Sequence, residues 1–328
     1  MHVRRNELYK EIEGFTKSRV ISFVTGDRTN QTTQIAPDCI DYFVDHLDQI
    51  KKAKAITLIL YSRGGHTLTG WSLVNLIRQF CDSFNVIVIS KAHSTATLIS
   101  LGANQIMMTK QATLGPIDPS TNGPLNPPHP GQNPLMRIPV SVESINSYLQ
   151  LLKDHKITSP KDLSPIIIDL ANKIHPIVLG DVNRARAQIR MLGERLMSNH
   201  IQQKEKRDKI LDFLCSESGS HDYTIHREEA RDVLGLNVTK PNDEQYSILK
   251  QLHKNITDEL KLLEPYDANI ILGKEKEIDY SVIRGLIEST SSYPVKFISQ
   301  GRLRRFTGPQ GQEMIEDRKT FEGWRIIQ

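Results

Sequence analysis

Cysteine is scarce in this chain: Cys39, Cys81 and Cys215 stand far apart and form no C-x-x-C pair. That spacing excludes a disulfide framework and a thiolate metal site. Long apolar runs are missing too. Residues 55–60 (AITLIL) and 86–89 (VIVI) fall far short of the roughly 20 residues that cross a bilayer. The first 15 residues, MHVRRNELYKEIEGF, are charged throughout and hold no signal-peptide stretch. Excess charge of one sign is also absent. Lys and Arg number 42 against 38 Asp and Glu, a net +4 too mild to demand nucleic acid or an anionic membrane. What remains is 328 residues, 38% hydrophobic and 24% charged. That suffices for two domains of about 150 residues each. The expectation is a reduced, soluble, cytoplasmic protein.

Apolar runs and helical patterns alternate through the first half. A strand is expected over residues 19–25 (RVISFVT) and a helix over 38–50. A buried strand follows over 55–62 (AITLILYS), then a helix with Leu68, Trp71, Val74 and Ile77 on one face. NVIVIS (85–90) is the next strand, KAHSTATLISLGA (91–103) a small-residue helix capped by Gly102, and QIMMT (105–109) a third strand. Such alternation argues for a parallel sheet built from crossover units. The Pro- and Gly-rich stretch 114–136 reads as a long functional loop. Helices are expected over 142–155, 163–175 and 181–198. The last carries a seam of Val182, Ala185, Ile189, Leu192 and Leu196 that wants a partner helix. Composition shifts at QQKEKR (202–207). Beyond it, a helix over 208–216, a turn, helix and glycine stop within 223–236, and a helix over 244–263 suggest a helix-turn-helix or winged-helix module. The last 60 or so residues read as strands (269–272, 295–299, 320–327) around a helix near 280–289.

Three segments carry candidate chemistry. In YSRGGHTLTG (61–70), a strand ends in Gly64 and Gly65 before a helix. With no Cβ to block approach, backbone N–H groups there can face a developing negative charge. In KAHSTATLISLGA, Ser94 stands at a strand-to-helix junction, where its Oγ can project beside the N–H of Thr95. A nucleophilic serine needs that arrangement, because attack creates an oxyanion that donors must already face. Taken alone, Ser94 reads equally as a helix N-cap. In TLGPIDPS (113–120), Asp118 follows Ser94 by 24 residues and alone reads as a turn former.

Together these segments resemble the Clp protease proteolytic subunit and signal peptide peptidase A, and most closely the serine dehydrogenase proteinase family. The residues that carry the likeness are SRGG, STATLISLGA, LGPIDP, IHPIVLGDVNRARAQIRML (174–192) and HDYTIHREEARDVLGL (221–236). The resemblance implies an α/β fold, a Clp/crotonase-like spiral of ββα units, over residues 1–200. A helical, winged-helix-like module (201–265) and a small C-terminal α/β extension (266–328) would follow. It further implies an ATP-independent serine peptidase with Ser94 as nucleophile. The N–H groups of Thr95 and of Gly64 or Gly65 would form the oxyanion hole, and which glycine donates stays open. Asp118 and His175 would complete the order Ser, Asp, His; the alternative base is Lys153 or Lys156, by likeness to signal peptide peptidase A. His66 is a cleft-lining candidate, and His93 is expected to point away from Ser94.

No cofactor is implied, and no metal site is supported by the scattered histidines. Expected partners are a peptide or unfolded protein substrate and further copies of the chain, with no membrane. The basic stretch 184–207 and the HREEARDVLGL helix lack the residue set that reads base edges, so nucleic acid is not expected. Three other readings compete: a non-catalytic Clp-fold scaffold, a crotonase-type acyl-CoA enzyme and a DNA-binding regulator.

Overall fold

The computed structural model describes residues 2–117, 120–130, 136–217, 220, 222–308 and 311–327. Along the chain run α1 (His2–Thr16), β1 (Arg19–Thr25), α2 (Ile40–Ile50), β2 (Ala53–Ser62), α3 (Thr67–Arg78), β3 (Cys81–Ala92), α4 (Thr95–Leu101), β4 (Gln105–Met108) and β5 (Thr113–Leu114). Helices α5 (Val142–Asp154), α6 (Pro160–Lys173), α7 (Pro176–Ser198) and α8 (Lys204–Asp212) follow. The chain ends with β6 (Ile225–His226), α9 (Arg227–Asp232), β7 (Val238–Thr239), α10 (Asp243–Leu260), α11 (Ala268–Leu272), β8 (Glu277–Ser289), β9 (Val295–Thr307) and β10 (Glu313–Ile326). These elements fall into two compact units, residues 1–114 with 224–328, and residues 115–223.

The first unit is built on a ten-stranded mixed sheet of order β6-β5-β3-β2-β1-β8-β9-β10, with β4 beside β3 and β7 beside β4. The α/β class expected from the sequence holds. β1, β2, β3 and β4 run parallel, each crossover using a helix. The fully parallel sheet does not hold, because β8 joins β1 antiparallel and β9 and β10 extend the meander. Strand alternation sends side chains to two layers. Val20, Val24, Ile59, Ile87 and Ile89 pack with Leu8, Tyr9 and Ile12 of α1 and Leu249, Leu252, Ile256 and Leu260 of α10. Phe23 points the other way, edge-on to Phe43 of α2 at 5.0 Å.

Several local expectations differ from the structure for physical reasons. Residues 280–289, expected as a helix, lie in β8, whose β-branched run pairs with strands on both sides. Residues 269–272, expected as a strand, lie in α11, where Leu272 packs on Tyr280 and Leu303. Gly102 caps α4 with ordinary helical φ (−78°). Its missing side chain serves packing: an added Cβ would sit 2.7 Å from Val74 Cγ1. Leu68 points outward, whereas Val74 and Ile77 are buried as expected, together with Thr69, Gly70 and Leu73. Within the segment 223–236 the expected helix is short, and Gly235 (φ 68°) follows it as the expected glycine stop. Six-residue α9 lies between β6 and β7, which pair with β5 and β4, so sheet hydrogen bonds claim this segment.

In the second unit Val178 and Val182 of α7 pack with Val140 and Val142. The α7 seam finds its partners in this chain, in α5 and α8. Arg184, Arg190 and Arg207 pair with Asp181, Asp212 and Glu194, and Arg186 donates to Ser216 Oγ. No residue of α6 is buried, and Ile167 and Ile168 are exposed.

A buried histidine in the first unit makes stability depend on pH. His46 is fully buried, with Nδ1 2.8 Å from Ser289 Oγ. Burial, partly opposed by the charge of Glu288, pushes its pKa down to about 4 from 6.5. The folded state thus favours neutral imidazole. Its contribution is complete above pH 6.5 and is lost as pH falls toward 4. We expect wild type to lose about 3 kcal/mol more than His46→Gln across that window, read by denaturant titration at stepped pH. Parallel profiles would refute the assignment.

Candidate functional site

The sheet presents its chemistry at the carboxyl ends of β2 and β3, where open α/β sheets bind ligands. β2 ends at Ser62 and turns through Gly64 (φ 117°) and Gly65 (φ 153°), both in backbone regions that favour glycine. Three contacts hold the turn. Thr25 Oγ1 donates to Ser62 Oγ (2.6 Å), the Gly64 N–H donates to Ser62 Oγ (2.9 Å), and Ile35 bridges Gly65 through bonds to Gly64 O and His66 N. Ile35 fits so closely that a Cβ on Gly65 would lie 2.2 Å from its carbonyl oxygen.

β3 ends at Ala92, and Ser94 takes φ 52°, ψ −118° before α4 begins. For a residue with a Cβ this conformation costs of order 1–3 kcal/mol. The N-cap role that a serine there would ordinarily fill is not fulfilled, since Ser94 makes no side-chain capping bond. Among the described residues its Oγ, half-buried, has no hydrogen-bond partner. A sharp strand-to-helix turn that lifts an uncommitted hydroxyl is the geometry of a nucleophile elbow.

The glycine turn and the serine turn meet. A Cβ on Gly64 would stand 2.8 Å from Ser94 Cβ and 3.2 Å from Ser94 Oγ, so only glycine leaves room for the hydroxyl. Thr95 Oγ1 donates to Gly65 O at 2.7 Å and ties the start of α4 to the turn. Gly70 of α3 lies against Thr95 just as closely. The Gly64 N–H is taken by Ser62, whereas those of Gly65 and Thr95 have no acceptor among the described residues. Thr25, Ser62 and Ile35 as turn-setters were not legible in the sequence. Only the serine of SRGG offered a signal, and Ile35 acts through its backbone.

Other candidates are placed as follows. His93 points to Thr113, its Nε2 2.9 Å from Thr113 Oγ1. His66 is the exposed N-cap residue of α3. Asp118 lies outside the described residues. His175 is the N-cap of α7, where its Nδ1 accepts the Ile177 N–H at 3.2 Å. While it accepts that bond, Nδ1 carries no proton. A serine–histidine–aspartate relay instead has Nδ1–H on the carboxylate. Lys153 and Lys156 are both exposed near the end of α5, without the burial that makes a lysine a base. No three His, Cys, Asp or Glu side chains among the described residues could together hold a metal ion. No helix among them is long and apolar enough to cross a membrane.

Residues 3–127 match the family described as ClpP-like SDH-type serine proteinase, and the SRGG, STATLISLGA and LGPIDP motifs fall inside that match. An uncharacterized protein of Methanocaldococcus jannaschii, MJ0137, is 29% identical over 203 residues, 62% of this chain and 60% of that protein. The chain thus spans about three fifths of the length of that relative. Solved structures similar to this chain include two proteases. The 1510-N membrane-bound stomatin-specific protease is 18% identical over 69% of this chain and 82% of that one, with a TM-score of 0.38. ClpP1 from Listeria monocytogenes is 14% identical over 71% and 98%, with a TM-score of 0.37. Scores this low carry no inference about activity.

Proposed function

We propose that this protein is an ATP-independent serine peptidase, working in the cytoplasm on peptides or unfolded segments through an acyl-enzyme at Ser94. The observation that carries the reading is the strained, uncapped Ser94 set against the Gly64–Gly65 turn. Ser94 Oγ attacks the scissile carbonyl carbon, and its proton passes to the base. The resulting oxyanion is received by the N–H groups of Gly65 and Thr95, which have no other acceptor among the described residues. Collapse breaks the C–N bond and returns the proton to the leaving amine; water then releases the acyl group, restoring Ser94. His175 is the proposed base, oriented by Asp118. It must first release the Ile177 N–H and carry its ring proton on Nδ1. Self-association belongs to the same reading, and the exposed apolar face of α6 supports it.

The capping bond from the Ile177 N–H to His175 Nδ1 favours one second reading, a Clp-fold scaffold without a working base. A fluorophosphonate probe with peptide mapping separates the two. We expect an adduct on Ser94, absent in Ser94→Ala, and labelling slowed roughly 10²–10⁴-fold in a folded His175→Ala. Unchanged labelling in His175→Ala moves the role of base to Lys153 or Lys156. A folded wild type that takes no label favours the scaffold.

A further inference from the structure

We infer that Arg63 and Lys91 form a subsite beside Ser94 that binds a carboxylate of the peptide. The inference rests on the peptidase reading for its substrate, but its geometry lies wholly within the first unit. Arg63 immediately precedes Gly64, and Lys91 stands three residues before Ser94 near the end of β3. Both cations converge on one oxygen, Asp27 Oδ2, with Lys91 Nζ at 2.8 Å and Arg63 Nε at 3.8 Å. The other oxygen, Oδ1, accepts the Tyr61 hydroxyl at 2.6 Å.

One carboxylate therefore answers two cations. Burial resists the charge on Asp27, but the hydrogen bonds from Lys91 and Tyr61 and the nearby cations prevail and hold its pKa below the ordinary value. Asp27 is thus an anion already spent on holding Lys91. His253 of α10, stacked toward Tyr61 at 5.9 Å, adds no counter-charge; burial, with Lys91 nearby, favours its neutral form. Tyr61 is driven the same way, burial and Asp27 both raising its pKa, so it stays a neutral donor.

Arg63 is the uncommitted partner. Its side chain is 63% exposed, and at 3.8 Å its contact with Asp27 is an ion pair without a hydrogen bond. The guanidinium fork therefore keeps its N–H donors, the geometry that takes a carboxylate in bidentate fashion. Lys91 sits lower, half-buried over the Tyr61 ring, and supplies fixed positive charge behind the fork. A peptide laid across Ser94 advances about 3.3 Å per residue. Because Gly64 lies against Ser94 and Arg63 is its chain neighbour, the carboxylate we expect Arg63 to take lies within a few residues of the scissile bond, as a side chain or as the peptide's own C-terminus.

Binding to full-length Ser94→Ala tests this without turnover. The probes are three fluorescein-labelled alanine–leucine hexapeptides: a neutral amide, the same peptide with a free C-terminal carboxylate, and an amide containing one glutamate. At low salt we expect at least one carboxylate peptide to bind roughly tenfold tighter than the neutral amide, with the preference shrinking at high salt. Arg63→Gln should remove the preference and Arg63→Glu invert it; exposed Arg63 makes both replacements compatible with folding. Which of the two carboxylate peptides wins tells side-chain from C-terminal recognition. Equal affinity for all three, no binding by either carboxylate peptide, or a preference that survives Arg63→Gln overturns the inference. Fluorophosphonate labelling of the wild type reports separately. Labelling without a carboxylate preference sinks the subsite alone, and a preference without labelling sinks the peptidase reading alone.

Discussion

Gly65→Ala is expected to cost roughly 3 kcal/mol or more and to slow fluorophosphonate labelling at least a hundredfold. The added methyl would lie 2.2 Å from Ile35 O and 2.5 Å from Ile35 N. Both are backbone atoms, so no side-chain rotation relieves the clash, and φ 153° is itself unfavourable for alanine. Relief requires the bridge to open, which breaks the bonds from Ile35 N to Gly64 O and from His66 N to Ile35 O. The Gly65 N–H then leaves its place opposite Thr95, and losing one oxyanion donor costs about 10²–10³ in rate. Gly64→Ala makes a useful companion, because its methyl meets Ser94 Cβ and Oγ and should disturb the nucleophile directly. Denaturant midpoints and labelling rates measured side by side decide the matter. A Gly65→Ala protein with wild-type midpoint and wild-type labelling would contradict both the bridge geometry and the assigned donor.

The second large effect lies in the buried ion network between α1, α10 and β8. Arg5 and Glu288 are both wholly buried. Arg5 Nε and Nη2 grip the carboxylate at 2.7 and 2.6 Å, while Nη1 serves Asn255 and Glu259. Tyr9 Oη and His2 complete the shell around Glu288. Burial alone would raise the Glu288 pKa. The hydrogen bonds from Arg5, His2 and Tyr9 and the Arg5 charge reverse that, bringing it down to about 2. A carboxyl depressed in the folded state contributes stability that is complete above its ordinary value of 4.5 and is lost as pH falls toward 2. At neutral pH, Glu288→Leu should cost about 3–5 kcal/mol, because it takes the bidentate carboxylate from a buried guanidinium and leaves only Glu259 to answer its charge. Arg5→Leu/Glu288→Leu should cost clearly less than the sum of the two single replacements, since the double variant buries neither charge of the pair. Additive losses in urea titrations would show that the two charges are not coupled.

The motifs were legible because they are local. SRGG reports a turn that needs positive φ, and STATLISLGA reports a helix whose small residues allow close approach. Both readings rest on backbone sterics within a few residues. Ser94 was ambiguous in sequence, since a serine before a helix is ordinarily a cap. Its φ and ψ and its missing capping bond, visible only in the tertiary structure, set the cap role aside; its role as nucleophile stays a proposal. That the Gly64 N–H is bonded to Ser62 Oγ, which makes Gly65 the proposed donor, was likewise closed to sequence. His175 was read from motif order, and its capping bond appears only once α7 is seen to start there.

By itself the sequence determined the α/β class, the positions of β1 to β4 and the segments that carry the candidate chemistry. Periodic burial and glycine turns are properties of short windows, so they survive without knowledge of the fold. Tertiary structure decided what those windows could not. It turned residues 280–289 into a central strand and drew residues 225–239 into the sheet edge. It also set two cations, Arg63 and Lys91, on one aspartate, Asp27. In each case partners distant along the chain, through ladder hydrogen bonds or charge, outweighed a local propensity worth only a few tenths of a kcal/mol per residue.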